Sequence, residues 1–209
     1  MKYIKIRALL FTALLSANAS HALELVTFGV KAGLGAVNHS MTNVNYSALG
    51  TKIGLSYLGG GSIDVGVGPF GGMADILFAS RGYKISYTDP TYGIVNVGQR
   101  MNSLMIPVQA RFSTGLIQFS AGGYWSLGLG NVSTSTTVAA TGQAVSNVSS
   151  SYALQGLNRS NLGLTIGAGV SIVMFSVEIR YNHGITDMTV SPLTFEKSRS
   201  VDLLAGMTF

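Results

Sequence analysis

The sequence predicts an all-β fold: an eight-stranded, antiparallel, up-and-down transmembrane β-barrel preceded by a cleaved signal peptide. Three observations carry this. Window after window alternates apolar and polar residues with a period of two, the mark of strands with one apolar face, and helical periodicity fits none of these windows. Only 10% of residues are charged, against about 25% in an average soluble domain, yet beyond the N-terminal segment no apolar run approaches the roughly 18 residues of a spanning helix. Glycine supplies 27 of 209 residues, well above the usual ~7%. An exported, apolar, glycine-rich chain without a spanning helix can cross a membrane as a closed barrel, in which every backbone polar group finds a partner inside the sheet.

Export is read from the N-terminus. The basic segment "MKYIKIR", the apolar run "ALLFTALLSA" and the small-residue stretch "NASHA" follow the order of a secretory signal peptide. Residues 1–22 form the expected signal peptide and residues 23–209 the barrel domain, with cleavage after Ala22 as first choice and after Ala19 as second. A retained anchor is the alternative, but the apolar run is about half the roughly 20 residues a spanning helix needs. Removal of Lys2, Lys5 and Arg7 leaves 10 basic against 8 acidic residues, a net charge of +2, so charge does not suggest nucleic acid as a partner. The chain has no Cys, which excludes disulfides, a lipid-modified cysteine and thiolate metal sites.

The strands follow in order, at 24–37, 49–58, 70–88, 94–113, 116–132, 159–173, 175–188 and 198–209. In the first, Val26, Phe28, Val30, Ala32 and Leu34 oppose Thr27, Gly29, Lys31, Gly33 and Gly35. Ile53, Leu55 and Tyr57 form the apolar face of the second. "GGGSIDVGVGPFGG" offers turn sites at 59–62 and 68–72, and use of both would raise the count toward ten. Later strands set Leu104, Ile106, Val108 and Phe112 against Gln109 and Arg111, and Phe119, Trp125 and Leu127 against Ser120, Tyr124 and Ser126. The last strand places Val201, Leu203, Ala205, Met207 and Phe209 on one face. Links at 113–115 and 173–175 are short, whereas those at 38–48, 131–158 and 188–197 are long and polar, as when short periplasmic turns alternate with outer loops. The Ser/Thr-rich 131–158 segment is expected to be a mobile surface loop, and its N-x-S sequons at Asn131 and Asn147 are read as chance.

Aromatic residues mark two belts. Phe28, Tyr57, Phe112, Phe119, Phe175 and Phe209 are expected on the short-turn side, with Phe78, Trp125 and Tyr181 toward the long loops. Alternation alone leaves open a secreted lipocalin-like barrel with an apolar interior. The polar faces, however, hold Gly, Ser and Thr where a soluble surface would carry Lys and Glu. An aromatic final residue on an alternating strand resembles the C-terminal signature of bacterial outer-membrane proteins, which implies that Val201, Leu203, Ala205, Met207 and Phe209 form a signal read by the barrel-assembly machinery.

"ADILFASRGYK", "NSLMIPVQARF", "AGGYWSLGLG" and the pair "LGLTIGAGVSI" and "VEIRYNHGITDM" resemble, in the same order, strands of the PorT-like outer-membrane β-barrel proteins. The resemblance covers most of residues 24–209 and implies a small eight-stranded, porin-like barrel in a Gram-negative outer membrane, without a single activity. Asp75 stands where the family more often has Glu, and the 59–72 and 131–158 segments depart from its pattern.

By parity the inward charges are Lys31, Lys52, Asp75, Arg111, Glu178, Arg180 and Asp202. Four bases against three acids suit an ion-paired lumen better than a selectivity filter, and an eight-stranded interior is only wide enough for side chains to fill. Strands five and six contribute only Gly122, Gly128, Gly130, Gly163, Gly167, Gly169 and small polar residues around Tyr124, a wall against which long side chains from the charged arc would close the lumen. No catalytic, cofactor or metal site is expected. His39 is followed by Ser40 and Met41, and His183 by Gly184 and Ile185, so neither forms the His–x–Ser arrangement of lipid A deacylases. The functional expectation is a non-enzymatic barrel with a filled polar lumen, acting structurally or at the surface through its long outer loops. Its expected partners are outer-membrane lipid, the assembly machinery during biogenesis and a surface partner the sequence does not identify. The alternatives are a narrow channel for water or small solutes and, from the family resemblance alone, an accessory component of a secretion apparatus.

Overall fold

Ile179 is 54% exposed and its neighbour Arg180 only 1%, and this inversion of the soluble pattern recurs along every wall strand. The computed structural model describes residues 26–41, 50–89, 93–140, 143–153, 160–186, 188–190 and 193–209. The expected signal peptide and its cleavage sites lie outside them. The described residues form eleven strands: β1 (Val26–Met41), β2 (Gly50–Lys52), β3 (Gly54–Val67), β4 (Phe70–Asp89), β5 (Gly93–Thr114), β6 (Ile117–Ala140), β7 (Gln143–Ala153), β8 (Ser160–Ile172), β9 (Phe175–Gly184), β10 (Met188–Val190) and β11 (Leu193–Thr208). Eight of them, β1, β3, β4, β5, β6, β8, β9 and β11, form the staves in that spatial order, each antiparallel to the next, and β1 pairs with β11 to close the wall. Outside the closed ring, β2 pairs with β4, β7 with β6 and β10 with β11.

Closure fixes the geometry of the interior. Ladder partners followed once around from Phe28 run through Ile63, Ala74, Val108, Gly123, Leu164, His183 and Arg199 and return to β1 at Asn38, a stagger of ten residues. With eight strands this stagger tilts the staves by about 40° and leaves room only for side chains. The buried face is polar and the exposed face apolar, which excludes the lipocalin-like alternative. The exposed face is the one that meets lipid.

The three inner turns have two residues each, at Gly68–Pro69, Gly115–Leu116 and Val173–Met174. Each needs positive φ at its first position: 61° at Gly68, 66° at Gly115 and 55° at Val173. Glycine meets that demand without strain; Val173 meets it with a β-branched side chain in the left-handed region.

Two expectations are corrected. The second wall strand does not end at 58 but runs through "GGGSIDVGV" to Val67, so only the turn at 68–69 is used and the count stays at eight. Gly60 belongs to the ladder rather than to a turn, because a Cβ there would overlap the Ile76 carbonyl of β4. The 131–158 segment is not simply a loop. β6 continues to Ala140 and β7 returns from Gln143 to Ala153, as its β-branched Thr and Val residues favour. Residue Gly130, at φ 67°, sits beside the register shift between Arg100 and Asn102, where this hairpin leaves the wall.

Candidate functional site

The lumen is built in layers from the inner mouth outward. At the mouth a cavity of about 430 Å³ is lined by Thr27, Ser62, Asp64, Arg111, Gln118 and Ser176 among others, and it ends against Lys31 and Met73. Arg111 Nη2 pairs with Asp64 Oδ1 at 2.9 Å on its wall.

Above the cavity stands a neutral quartet of two bases and two acids. Lys31 Nζ lies 3.0 Å from Asp75 Oδ1 and 3.6 Å from Glu178 Oε2. Arg180 donates from Nε to Glu178 Oε1 at 3.0 Å and from Nη2 to Oε2 at 2.9 Å, and the same Nη2 pairs with Asp75 Oδ2 at 2.8 Å. Asp75 stands on β4 and Arg180 on β9, opposite staves in the ring order, so this pair spans the lumen from wall to wall. Ser120 donates to Glu178 at 3.3 Å, and Gln109 donates to Ser120 at 3.1 Å and to Thr165 at 3.4 Å. Buried charges persist when they are paired and hydrogen-bonded; every member of the quartet is ion-paired, while Asp75 Oδ2 and Arg180 Nη1 have no hydrogen-bond partner among the described residues.

Outward of the quartet the lumen turns apolar on one side. Leu58, Leu77, Ala79, Met105, Tyr124 and Leu204 pack into a buried cluster. Beside it Asp202, wholly buried, accepts from Asn182 Nδ2 at 2.7 Å, Ser56 Oγ at 3.1 Å and Ser200 Oγ at 3.2 Å, all neutral donors. Ser56 reaches it across β1 because position 35 is glycine: a Cβ there would overlap Asp202 Oδ1 and lie 2.5 Å from Ser56 Oγ. Arg81, also buried, rests Nη2 3.1 Å from Met105 Sδ.

Of the seven inward charges expected from sequence, Lys31, Asp75, Glu178, Arg180 and Asp202 are buried in the lumen and Arg111 lines its inner mouth. The side chain of Lys52 lies outside those described, although its backbone pairs with Lys84. Sequence reasoning missed Asp64, which fell between the turn sites at 59–62 and 68–72 and outside the expected strands, and Arg81, whose parity with Asp75 was available. It also missed the apolar cluster, whose Leu58, Leu77 and Met105 sit at inward parity. Among the described side chains the lumen therefore holds four bases and four acids. The glycine wall is covered from adjoining strands rather than from the far side: Glu178 Oε1 and Ser120 Oγ lie 2.5 and 2.6 Å from a Cβ at Gly167, and the Tyr124 ring lies on Gly163. The lumen is crossed instead by Asp75–Arg180.

On the outer surface Phe28, Phe112, Phe119, Phe175 and Phe209 gather at the inner rim. They are joined by Phe70, whose ring lies 5.2 Å from Phe112. Phe28 and Phe209 exchange backbone hydrogen bonds at 2.9 and 3.3 Å. Tyr57 belongs to the opposite rim, with Phe78, Trp125 and Tyr181. It pairs with Ser80 near the start of β3, far from the turn at Gly68, and was misplaced because the strand was ended too early. Val201, Leu203, Ala205 and Met207 line the outward face of β11, and Phe209 is 73% exposed. The side chain of His39 lies outside those described. His183 stacks beside Tyr181, with its Nδ1 3.5 Å from the Tyr181 hydroxyl.

A family model described as "Outer membrane protein beta-barrel domain" matches residues 17–190. No curated protein sequence matches the chain. Solved structures with a similar arrangement include Neisserial surface protein A, at 16% identity and a TM-score of 0.47 over 87% of this chain and 95% of that one. The Yersinia pestis outer membrane protein Ail is similar at 12% identity and 0.36, over 88% and 99% of the two chains. The Escherichia coli outer membrane protease OmpT is similar at 10% and 0.37, over 88% and 97%.

Proposed function

We propose, for a chain that belongs to the outer membrane protein beta-barrel domain family and resides in a Gram-negative outer membrane, a non-enzymatic role in the envelope. In this reading the lumen is closed and the outer hairpins meet a surface partner. The observation that carries it is the Asp75–Arg180 pair spanning the lumen at 2.8 Å, backed by the buried cluster around Leu77 and Met105. A solute passing between the mouths would have to part a neutral ionic quartet and an apolar layer in succession. The hairpin of β6 and β7 and the outer ends of β4 and β5 supply the surface for a partner.

The test is single-channel conductance in planar bilayers, with folding verified by a heat-dependent gel shift. Silence from folded barrels supports the closed lumen, and steady openings that change when Arg111 or Asp75 is neutralised sink it. The 430 Å³ cavity at the inner mouth favours a second reading, a narrow path for water or small solutes that opens when the quartet rearranges. A finer membership in the PorT-like family is supported by the motif residues Asp75, Leu77, Phe78, Ser80, Arg81 and Gly82, which fall together on β4. Co-purification with a secretion complex would turn that membership into an accessory role. Removal of residues 1–22 as a signal peptide, and recognition of Val201, Leu203, Ala205, Met207 and Phe209 by the barrel-assembly machinery, complete the proposal for biogenesis. N-terminal sequencing of envelope-extracted protein, and assembly yield after Phe209→Ala, test the two steps.

A further inference from the structure

The outward face of the barrel sorts charge by sign and by height. Among the described side chains every acid belongs to the lumen or its inner mouth: Asp64, Asp75, Glu178 and Asp202. Three cations, Arg100, Lys197 and Arg199, face outward instead. All three stand at the outer end of the wall, next to the outer aromatic ring. Arg199 is the ladder partner of His183, two residues beyond the Val201–Tyr181 pair, and Lys197 lies two residues further out. On the other side Asn38 of β1, exposed, partners Arg199. Toward the inner rim β9 and β11 present apolar side chains to lipid, Phe175, Val177, Ile179, Leu203 and Met207 among them.

A cation on a lipid-facing strand is stable where its head reaches the headgroup zone, and long Lys and Arg stems allow that reach. Snorkelling favours long cationic stems at either interface, and so does not by itself place all three described outward cations at the outer one. The consistent positive sign needs a negative counterpart, and neither Lys197 nor Arg199 has an ion-pair partner among the described residues. Arg100 differs, because its guanidinium lies 5.1 Å over the Tyr57 ring and its Nη1 donates to Ser80. A guanidinium and an ammonium two residues apart on one strand, flanked by an amide and an imidazole on the neighbouring strands, match an oxyanion with several acceptors. In the outer leaflet of a Gram-negative membrane, phosphate carried on a glycolipid supplies such a group at that depth.

We propose that Lys197 and Arg199, flanked by Asn38 and His183, bind the phosphate of the phosphorylated glycolipid of the outer leaflet. The inference rests on placement in the outer membrane and is independent of whether the lumen conducts. The experiment is native mass spectrometry of the full folded barrel after equilibration with equal amounts of bis-phosphorylated and dephosphorylated lipid A. The wild-type protein is expected to retain the phosphorylated form preferentially. Lys197→Gln with Arg199→Gln should reduce that retention by about fivefold per charge removed, Arg199→Glu should do at least as much, and Arg100→Gln should do less. Equal retention of the two lipids by the wild type, a comparison that needs no variant, overturns the proposal, as does undiminished retention by the folded double variant. Equal retention of phosphatidylglycerol, lost with the same substitutions, also overturns it by reassigning the patch to anionic lipid in general.

Discussion

Asp75 and Asp202 are both wholly buried in the same lumen, yet they are held by opposite means. Asp75 lies between Lys31 and Arg180, so its charge is cancelled by contact. Among the described residues Asp202 has no cation in contact and is held by the dipoles of Ser56, Asn182 and Ser200. The first arrangement is strong but brittle, since removing one partner leaves the others as buried charges without full compensation. The second spreads the load over three weaker bonds, and losing one leaves the rest in place. One barrel therefore carries two solutions to buried charge, an ionic lock on the inner side and a hydrogen-bonded carboxylate farther out.

The comparison breaks most sharply at Asp75. Asp75→Ala leaves Lys31 and Arg180 sharing Glu178 alone and should cost about 3–5 kcal/mol, measured as the urea midpoint of reversible unfolding in lipid vesicles. Combining it with Arg180→Gln should recover part of the loss; simple additivity of the two would contradict direct coupling across the lumen. Gly167→Leu comes next, since its Cβ would enter the space of Glu178 Oε1 and Ser120 Oγ. Overpacking of this kind costs about 1–3 kcal/mol, and a tolerated change would mean that the wall beneath the quartet is vacant. Asp202→Asn keeps shape and loses only charge, so a cost of about 1 kcal/mol is expected; a loss as large as that at Asp75 would erase the distinction between the two sites. The smallest effect lies outside the lumen. Val173→Gly relieves a left-handed turn residue and should stabilise by about 1 kcal/mol, visible as a raised midpoint with unchanged slope.

Much of the wall was legible because burial in a barrel follows parity, and parity can be counted. Lys31, Arg180 and Asp202 are inward for the same reason that Val30, Ile179 and Leu203 are outward. Glycine was harder to read. Gly59–Gly61 resembled a turn, but Gly60 marks the close approach of β3 to β4, and the error displaced Tyr57 to the wrong rim and hid Asp64. Pairing was not legible at all. That Asp75 meets Arg180 rather than Arg111 depends on the ten-residue stagger, which only the closed register defines. The same stagger sets Leu58, Leu77 and Met105, which lie far apart in sequence, side by side as one apolar layer.

The seam between β1 and β11 also bears on how the molecule comes into being. Phe28 and Phe209 bond to each other from opposite ends of the described chain, and the loop between them is the longest any contact here must close. The contacts that cross the seam, Lys31 with Glu178 and Ser56 with Asp202, cannot form while it is open. A curved but unclosed sheet would hold these groups unpaired in lipid alongside two unbonded strand edges, at a cost no partial structure recovers. Assembly is therefore expected to be all-or-none, with closure of the seam as the late, slow event and with few partly zipped barrels accumulating on the way.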